Sequence, residues 1–92
     1  MNTIAPIKAF AALLHKLESE QQIIEFLDAL LTPKELDEID NRMEIIHLLR
    51  QGVSQREVAQ RLGVGIATVT RGARVLKADG LENLLLKYEK KP

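Results

Sequence analysis

Six cations crowd residues 50–77 of a 92-residue chain: Arg50, Arg56, Arg61, Arg71, Arg74 and Lys77, with Glu57 the one acid among them. A guanidinium pairs with a carboxylate or phosphate through a planar fork, so such a run is suited to holding an anion. Within it lies GVGIATVTRGAR, residues 63–74, whose three glycines and two threonines are poor helix formers. Helix formers flank it, so the stretch itself is expected to be helical. The chemistry in view is anion recognition. Two histidines, His15 and His47, lie more than thirty residues apart without a paired carboxylate motif, a weak pattern for a metal. No Ser-His-Asp spacing, phosphate loop or carboxylate dyad appears. An enzyme is therefore not expected, nor is a metal or cofactor.

The charge is distributed unevenly. Lysines and arginines number 13, as do aspartates and glutamates, so the net charge is zero. Residues 1–46 nevertheless carry 4 basic and 9 acidic residues, and residues 47–92 carry 9 and 4. A basic head on an acidic body suits a polyanionic partner. A solvated charged face would look the same by charge alone. The acidic run Glu35, Asp37, Glu38, Asp40 reads as such a face and also favours a helix N-terminus.

The elements that position these groups are helical. Apolar residues make up 46% and aromatics 3%, so the core must be built from Leu, Ile, Val and Ala. Pro6 fits the first turn of a helix to about Leu17, with Ile7, Phe10, Leu13, Leu14 and Leu17 on one stripe. Ser19 with Gln22 is a capping box opening a helix that carries Ile23, Ile24, Phe26, Leu27, Leu30 and Leu31. Thr32-Pro33-Lys34-Glu35 opens another: Thr32 caps, Pro33 takes the first helical position and Glu35 reaches back. That helix stops near Gly52. Ser54 and Glu57 form a third capping box, opening a helix to about Leu62 with a turn at Gly63. A last helix is expected near Leu81 to Lys87, followed by the charged tail Lys90-Lys91-Pro92. The expectation is six short helices and no sheet, in one domain. A chain of this size has little sequence to cover its first two apolar helices, so a homodimer is expected.

No cysteine is present, which excludes a disulfide framework and a Cys-based zinc site. The N-terminal MNTIAPIKAFAALLHK has neither an initial basic run nor a small-residue cleavage site, and no apolar run approaches about 20 residues. A soluble cytoplasmic protein without a membrane partner is expected.

The segment Gln55 to Arg74 reads as a helix-turn-helix. Ala59 supplies the small residue where two helices touch, and Gly63 tolerates the sharp turn. Val58, Leu62, Val64 and Val69 stand where the pair must bury apolar surface. An αα-corner would need the same residues; the charge asymmetry favours binding of double-stranded DNA. The second helix would then enter the major groove by its N-terminus, with Ile66, Ala67 and Thr70 near base edges. Arg56 is the candidate for a guanine or phosphate contact. Arg50, Arg61 and Lys77 read as phosphate clamps, and Arg74 lies further along the helix. Affinity dominated by backbone contacts would be strongly salt dependent.

The stretches LTPKELDEIDNR, LLRQGVSQREVAQRLG and above all GIATVTRGARVLK resemble the tryptophan repressor family. The resemblance covers about Leu30 to Lys77, while the first 29 residues match in helical pattern and length only. One residue fewer separates Arg42 from Ser54 than in the enteric repressors. The resemblance implies an all-α, intertwined homodimer, with residues 1–53 as dimerisation core, 54–77 as helix-turn-helix and 78–92 as C-terminal helix and tail. It implies L-tryptophan as corepressor, a palindromic operator, and control of tryptophan biosynthesis or uptake genes. Carried over, Arg42 would pair with the ligand carboxylate, Arg71 would lie along the indole and Gly72 would leave room beside the ring. Thr68 would sit nearby, Ile45 and Ile46 would form apolar walls, and Leu31 and Thr32 would come from the other subunit. Two positions depart from the enteric pattern: Val75 stands where a serine helps hold the ligand's amino group, and Ala29 replaces a leucine. A regulator of the same fold that does not sense tryptophan, and a helix-turn-helix that binds protein instead of DNA, are the alternatives.

Gly72 and the β-branched Ile66, Thr68, Val69, Thr70 and Val75 leave the second helix weakly held by its own propensity. A ligand wedged against Gly72 could fix its angle and order it for DNA. Gly72 as a simple close-packing contact is the plainer expectation.

Overall fold

The computed structural model describes residues 4–89, with side chains from Ile7 onward; Lys90-Lys91-Pro92 lie outside them. Six helices follow one another: α1 (Ile4–Lys16), α2 (Glu20–Leu30), α3 (Pro33–Arg50), α4 (Gln55–Leu62), α5 (Ile66–Lys77) and α6 (Leu81–Glu89). No strand occurs among the described residues. The all-α expectation holds, and α3 runs unbroken over 18 residues to Arg50, in keeping with a start at the Thr32 cap and a stop near Gly52. The last helix also runs two residues past Lys87.

The punctuation that the sequence announces is present. Ser19 Oγ accepts from the Gln22 N–H at 3.1 Å, and the Gln22 amide oxygen accepts from the Glu18 N–H at 2.7 Å. At α3 the box is reciprocal: the Glu35 N–H donates to Thr32 Oγ1 at 3.1 Å, and the Thr32 N–H donates to Glu35 Oε1 at 2.8 Å. At α4 only half of the expected box forms. Ser54 Oγ accepts from the Glu57 N–H at 3.2 Å, but the Glu57 carboxylate turns to Arg61 one turn on. Gly52 and Gly63, with φ of 88° and 67°, close α3 and α4 in the left-handed region that a side chain would strain.

The chain divides into two compact units, residues 1–36 and 37–92. In the first, α1 and α2 meet through Phe10 and Phe26, whose ring centroids lie 5.8 Å apart. α2 buries no residue completely, and Ile7, Leu13, Ile24 and Leu30 stay about half exposed. In the second unit, Ile45 of α3, Val58 of α4 and Val69 of α5 form the core. Leu48, Leu49, Val53, Ala59, Leu62 and Val64 pack around them. These are the apolar positions that a helix-turn-helix has to bury, and they lock α4 and α5 onto the second half of α3.

Candidate functional site: a cation-lined pocket beside an exposed helix face

The residues of α5 sort onto three faces by helical spacing. Val69 and Leu76, seven apart, are buried, with Gly72 and Ala73 partly so. Ile66, Thr70, Arg74 and Lys77 share a second, exposed face. Thr68, Arg71, Gly72 and Val75 share the third, and there α5 faces a pocket.

That pocket, of about 580 Å³, is lined by Arg42, Ile45 and Ile46 of α3 and by Ala67, Thr68, Arg71, Gly72 and Val75 of α5. Its size suits a small organic ligand. Spacings of three and four put the α3 residues on one helix face, so two helix faces make its two walls. The charged groups are two guanidiniums, and no carboxylate lines it. Ile45, Ile46 and Val75 give apolar area, and Thr68 gives a hydroxyl. The arrangement can take an anionic, partly apolar molecule: a guanidinium for a carboxylate and the other cation for an aromatic face.

Gly72 belongs both to the pocket and to the packing beneath it. A Cβ there would stand 2.8 Å from Ile45 Cγ2. Since Ile45 is 2% exposed, its side chain has little room to retreat. The plain expectation of close packing therefore holds, and Gly72 lines the pocket as well.

Seven of the nine ligand candidates come together: Arg42, Ile45, Ile46, Thr68, Arg71, Gly72 and Val75. Leu31 and Thr32 lie in the first unit and do not line the pocket. Thr32 is already engaged in capping α3. Ala67, expected near base edges, also lines the pocket, and its spacing of four and eight from Arg71 and Val75 carries that signal.

The exposed face has its own arrangement. Ile66, Ala67 and Thr70 are open to solvent at the N-terminal half of α5, where Gly65 caps without a side-chain bond. The Thr70 hydroxyl donates to Gln55 Oε1 at 2.8 Å. Gln55, not among the expected DNA-contacting residues, thus ties the start of α4 to α5. Among the described residues Arg56 and Arg74 form no ion pair. The three expected phosphate clamps are held by carboxylates. Arg61 pairs with Glu57 at 2.5 Å, Lys77 with Glu82 at 2.5 Å, and Arg50 grips Glu89 through two bonds of 2.7 and 2.5 Å. The hydrogen bonds from Arg50 pull the Glu89 carboxyl below its ordinary 4.5, and the same bonds raise the Arg50 guanidinium. Separated by 39 residues, that pair leaves no periodic trace in the sequence.

No group of three or more His, Cys, Asp or Glu side chains gathers as a metal site among the described residues. Nor is any helix there long and apolar enough to cross a membrane.

Fold and site together define an all-helical helix-turn-helix protein. The chain belongs to the family described as Trp repressor protein, whose model matches residues 5–88. That is a family of transcription regulators, not of enzymes. A Trp operon repressor homolog of Vibrio cholerae is 47% identical over 60 residues, which cover 64% of this chain and 58% of that protein. One of Vibrio vulnificus is 41% identical over 70 residues, covering 75% and 68%. One of Aliivibrio fischeri is 49% identical over 53 residues, covering 56% and 49%. No solved structure matches.

Proposed function

We propose that the chain is a ligand-gated, DNA-binding transcriptional repressor with L-tryptophan as corepressor. It acts as a homodimer on a palindromic operator, and tryptophan biosynthesis or uptake genes are its targets. The observation that carries this reading is that one helix serves two surfaces. α5 gives Arg71, Gly72 and Val75 to the pocket and Ile66, Thr70 and Arg74 to the exposed face, with Ala67 between them. A ligand bound beside α5 fixes the angle of the helix that enters the groove.

In the pocket Arg42 takes the ligand carboxylate, Arg71 stacks on the indole, and Ile45 and Ile46 bound its edge. Leu31 and Thr32 are contributed by the second subunit. Arg56, Arg61, Arg74 and Lys77 supply cations for phosphate, and Arg56 can also reach guanine. The names of the Vibrio and Aliivibrio relatives support the same reading.

Titration calorimetry with L-tryptophan, followed by DNA binding to a palindromic trp promoter duplex, tests it. Saturation near one ligand per chain with tighter DNA binding on loading is the expected result. Val75 favours a second reading, a DNA-binding relative that senses another ligand or none, because the pocket offers an α-ammonium only the Thr68 hydroxyl among its side chains. Absence of heat at millimolar tryptophan, with DNA affinity unchanged, would select that second reading.

A further inference from the structure

Lys77 stands on the same face of α5 as Ile66, Thr70 and Arg74 and is 69% exposed, yet its ammonium is held by Glu82. Glu82 lies in the first turn of α6, where the helix dipole favours a carboxylate. The intervening turn is set by Gly80, at φ 82°, and by the Asp79 N–H donating to the Arg74 carbonyl at 3.1 Å. The far end of α6 is fastened separately: Glu89 receives both arms of Arg50, whose side chain is only 22% exposed. One end of α6 is therefore stapled to the end of α3, and its other end presents a carboxylate to the reading face.

We propose that α6 is a counter-charge that sets DNA affinity: Glu82 occupies Lys77 in the free protein and competes with phosphate for it, while Arg50–Glu89 holds Glu82 in place. This rests on the reading of α5 as the groove-entering helix. The flexible lysine stem lets the ammonium swing from one anion to the other. Exchange of Glu82 for phosphate adds no net neutralised charge, and Glu82 then lies unpaired near the DNA backbone. Affinity and salt dependence are both held below what the arginines and lysine of the head would give alone. Arg50 is committed to the staple and is not a phosphate clamp.

Glu82→Gln removes the competitor and keeps the side-chain shape. On a short mixed-sequence duplex its binding should strengthen by about 1.5-fold to fivefold per subunit, on the order of one surface ion pair. The slope of log affinity against log salt should steepen by about 0.9 per subunit. The gain must vanish in Glu82→Gln/Lys77→Gln, since there is no freed cation to use. Glu38→Gln makes the same charge change on a residue that has no ion pair among the described residues, and it should give neither effect. Glu89→Gln should raise affinity part of the way and speed amide exchange across α6. A Glu82→Gln slope equal to that of wild type, or a gain that survives loss of Lys77, overturns the proposal alone. Absence of salt-dependent DNA binding in every variant overturns the underlying reading and the proposal with it.

Discussion

At Gly72 two demands meet that pull in opposite directions. As a helix residue it is unfavourable by about 1 kcal/mol against alanine. As a packing residue it has no substitute, because a Cβ would press on Ile45 Cγ2 at 2.8 Å. Overpacking of a core costs about 1–3 kcal/mol, which outweighs the helix gain. Gly72→Ala should therefore lower stability by about 1 kcal/mol in denaturant unfolding. It should also weaken ligand binding at least tenfold by calorimetry, because α5 must shift on the side where it lines the pocket. A stabilised variant with intact ligand affinity would refute this account. Val75 is the complementary case. A serine there would offer an acceptor in a pocket that has one side-chain hydroxyl, and a hydrogen bond to a charged group is worth about 1.5–3 kcal/mol. Val75→Ser should raise L-tryptophan affinity by a factor of ten to a hundred, with little change for an indole carboxylate that lacks the amine. Equal changes for both ligands would show that Val75 does not face the ammonium.

The helices themselves are specified at their ends. Ser54 caps α4 alone, since Glu57 has turned to Arg61. Ser54→Ala should cost about 1 kcal/mol, with faster amide exchange at the start of α4 and little elsewhere. Capping is also why the fold was legible in the sequence: Ser19, Thr32, Ser54, Gly52 and Gly63 mark boundaries by local chemistry, which a one-dimensional pattern can hold. The pocket was legible only through the family resemblance, which named Arg42, Ile45, Ile46, Thr68, Arg71, Gly72 and Val75; the meeting of the two helix faces depends on Val58 and Val69 packing with Ile45. The ion pairs of α6 were not legible at all. Which carboxylate a surface cation chooses depends on tertiary distances, so the charge run from Arg50 to Lys77 does not show that Arg50 and Lys77 are paired with α6.

The anchoring of α6 has a definite pH signature. Glu89 titrates lower in the folded state than its ordinary 4.5, through its hydrogen bonds with Arg50. A depressed carboxyl contributes stability that is fully present above its unfolded value and lost as pH falls through the folded one. The contribution should thus be constant at neutral pH and fade below 4.5. In Glu89→Gln that acid-side loss should be smaller, as read by thermal unfolding between neutral and acid pH. An identical pH profile for the two proteins would remove the ion pair as a stabiliser of α6.

At the scale of the molecule, the two units differ in what they bury. Residues 37–92 enclose a core around Ile45, Val58 and Val69, and they carry the pocket and the exposed face of α5. In residues 1–36 the Phe10–Phe26 stack is the main aromatic contact, and Ile7, Leu13, Ile24 and Leu30 are about half exposed. A unit that buries so little of its own apolar surface gains little stability from its own core, and open apolar side chains mark an interaction face. In the proposed homodimer a second copy would cover them, and folding would then be linked to association. For such a protein each tenfold rise in concentration adds about 1.4 kcal/mol to apparent stability. The midpoint of thermal unfolding should accordingly climb with concentration, and sedimentation should give twice the chain mass. A midpoint independent of concentration, with a monomer in the centrifuge, would mean that these helices are covered some other way. Ile24→Glu, which puts a charge on the open face of α2, separates the cases: it should dissociate a dimer but leave a monomer unmoved. In that variant the core at Ile45 should persist, because none of its members lies in α1 or α2, while operator binding should be lost with the second reading head.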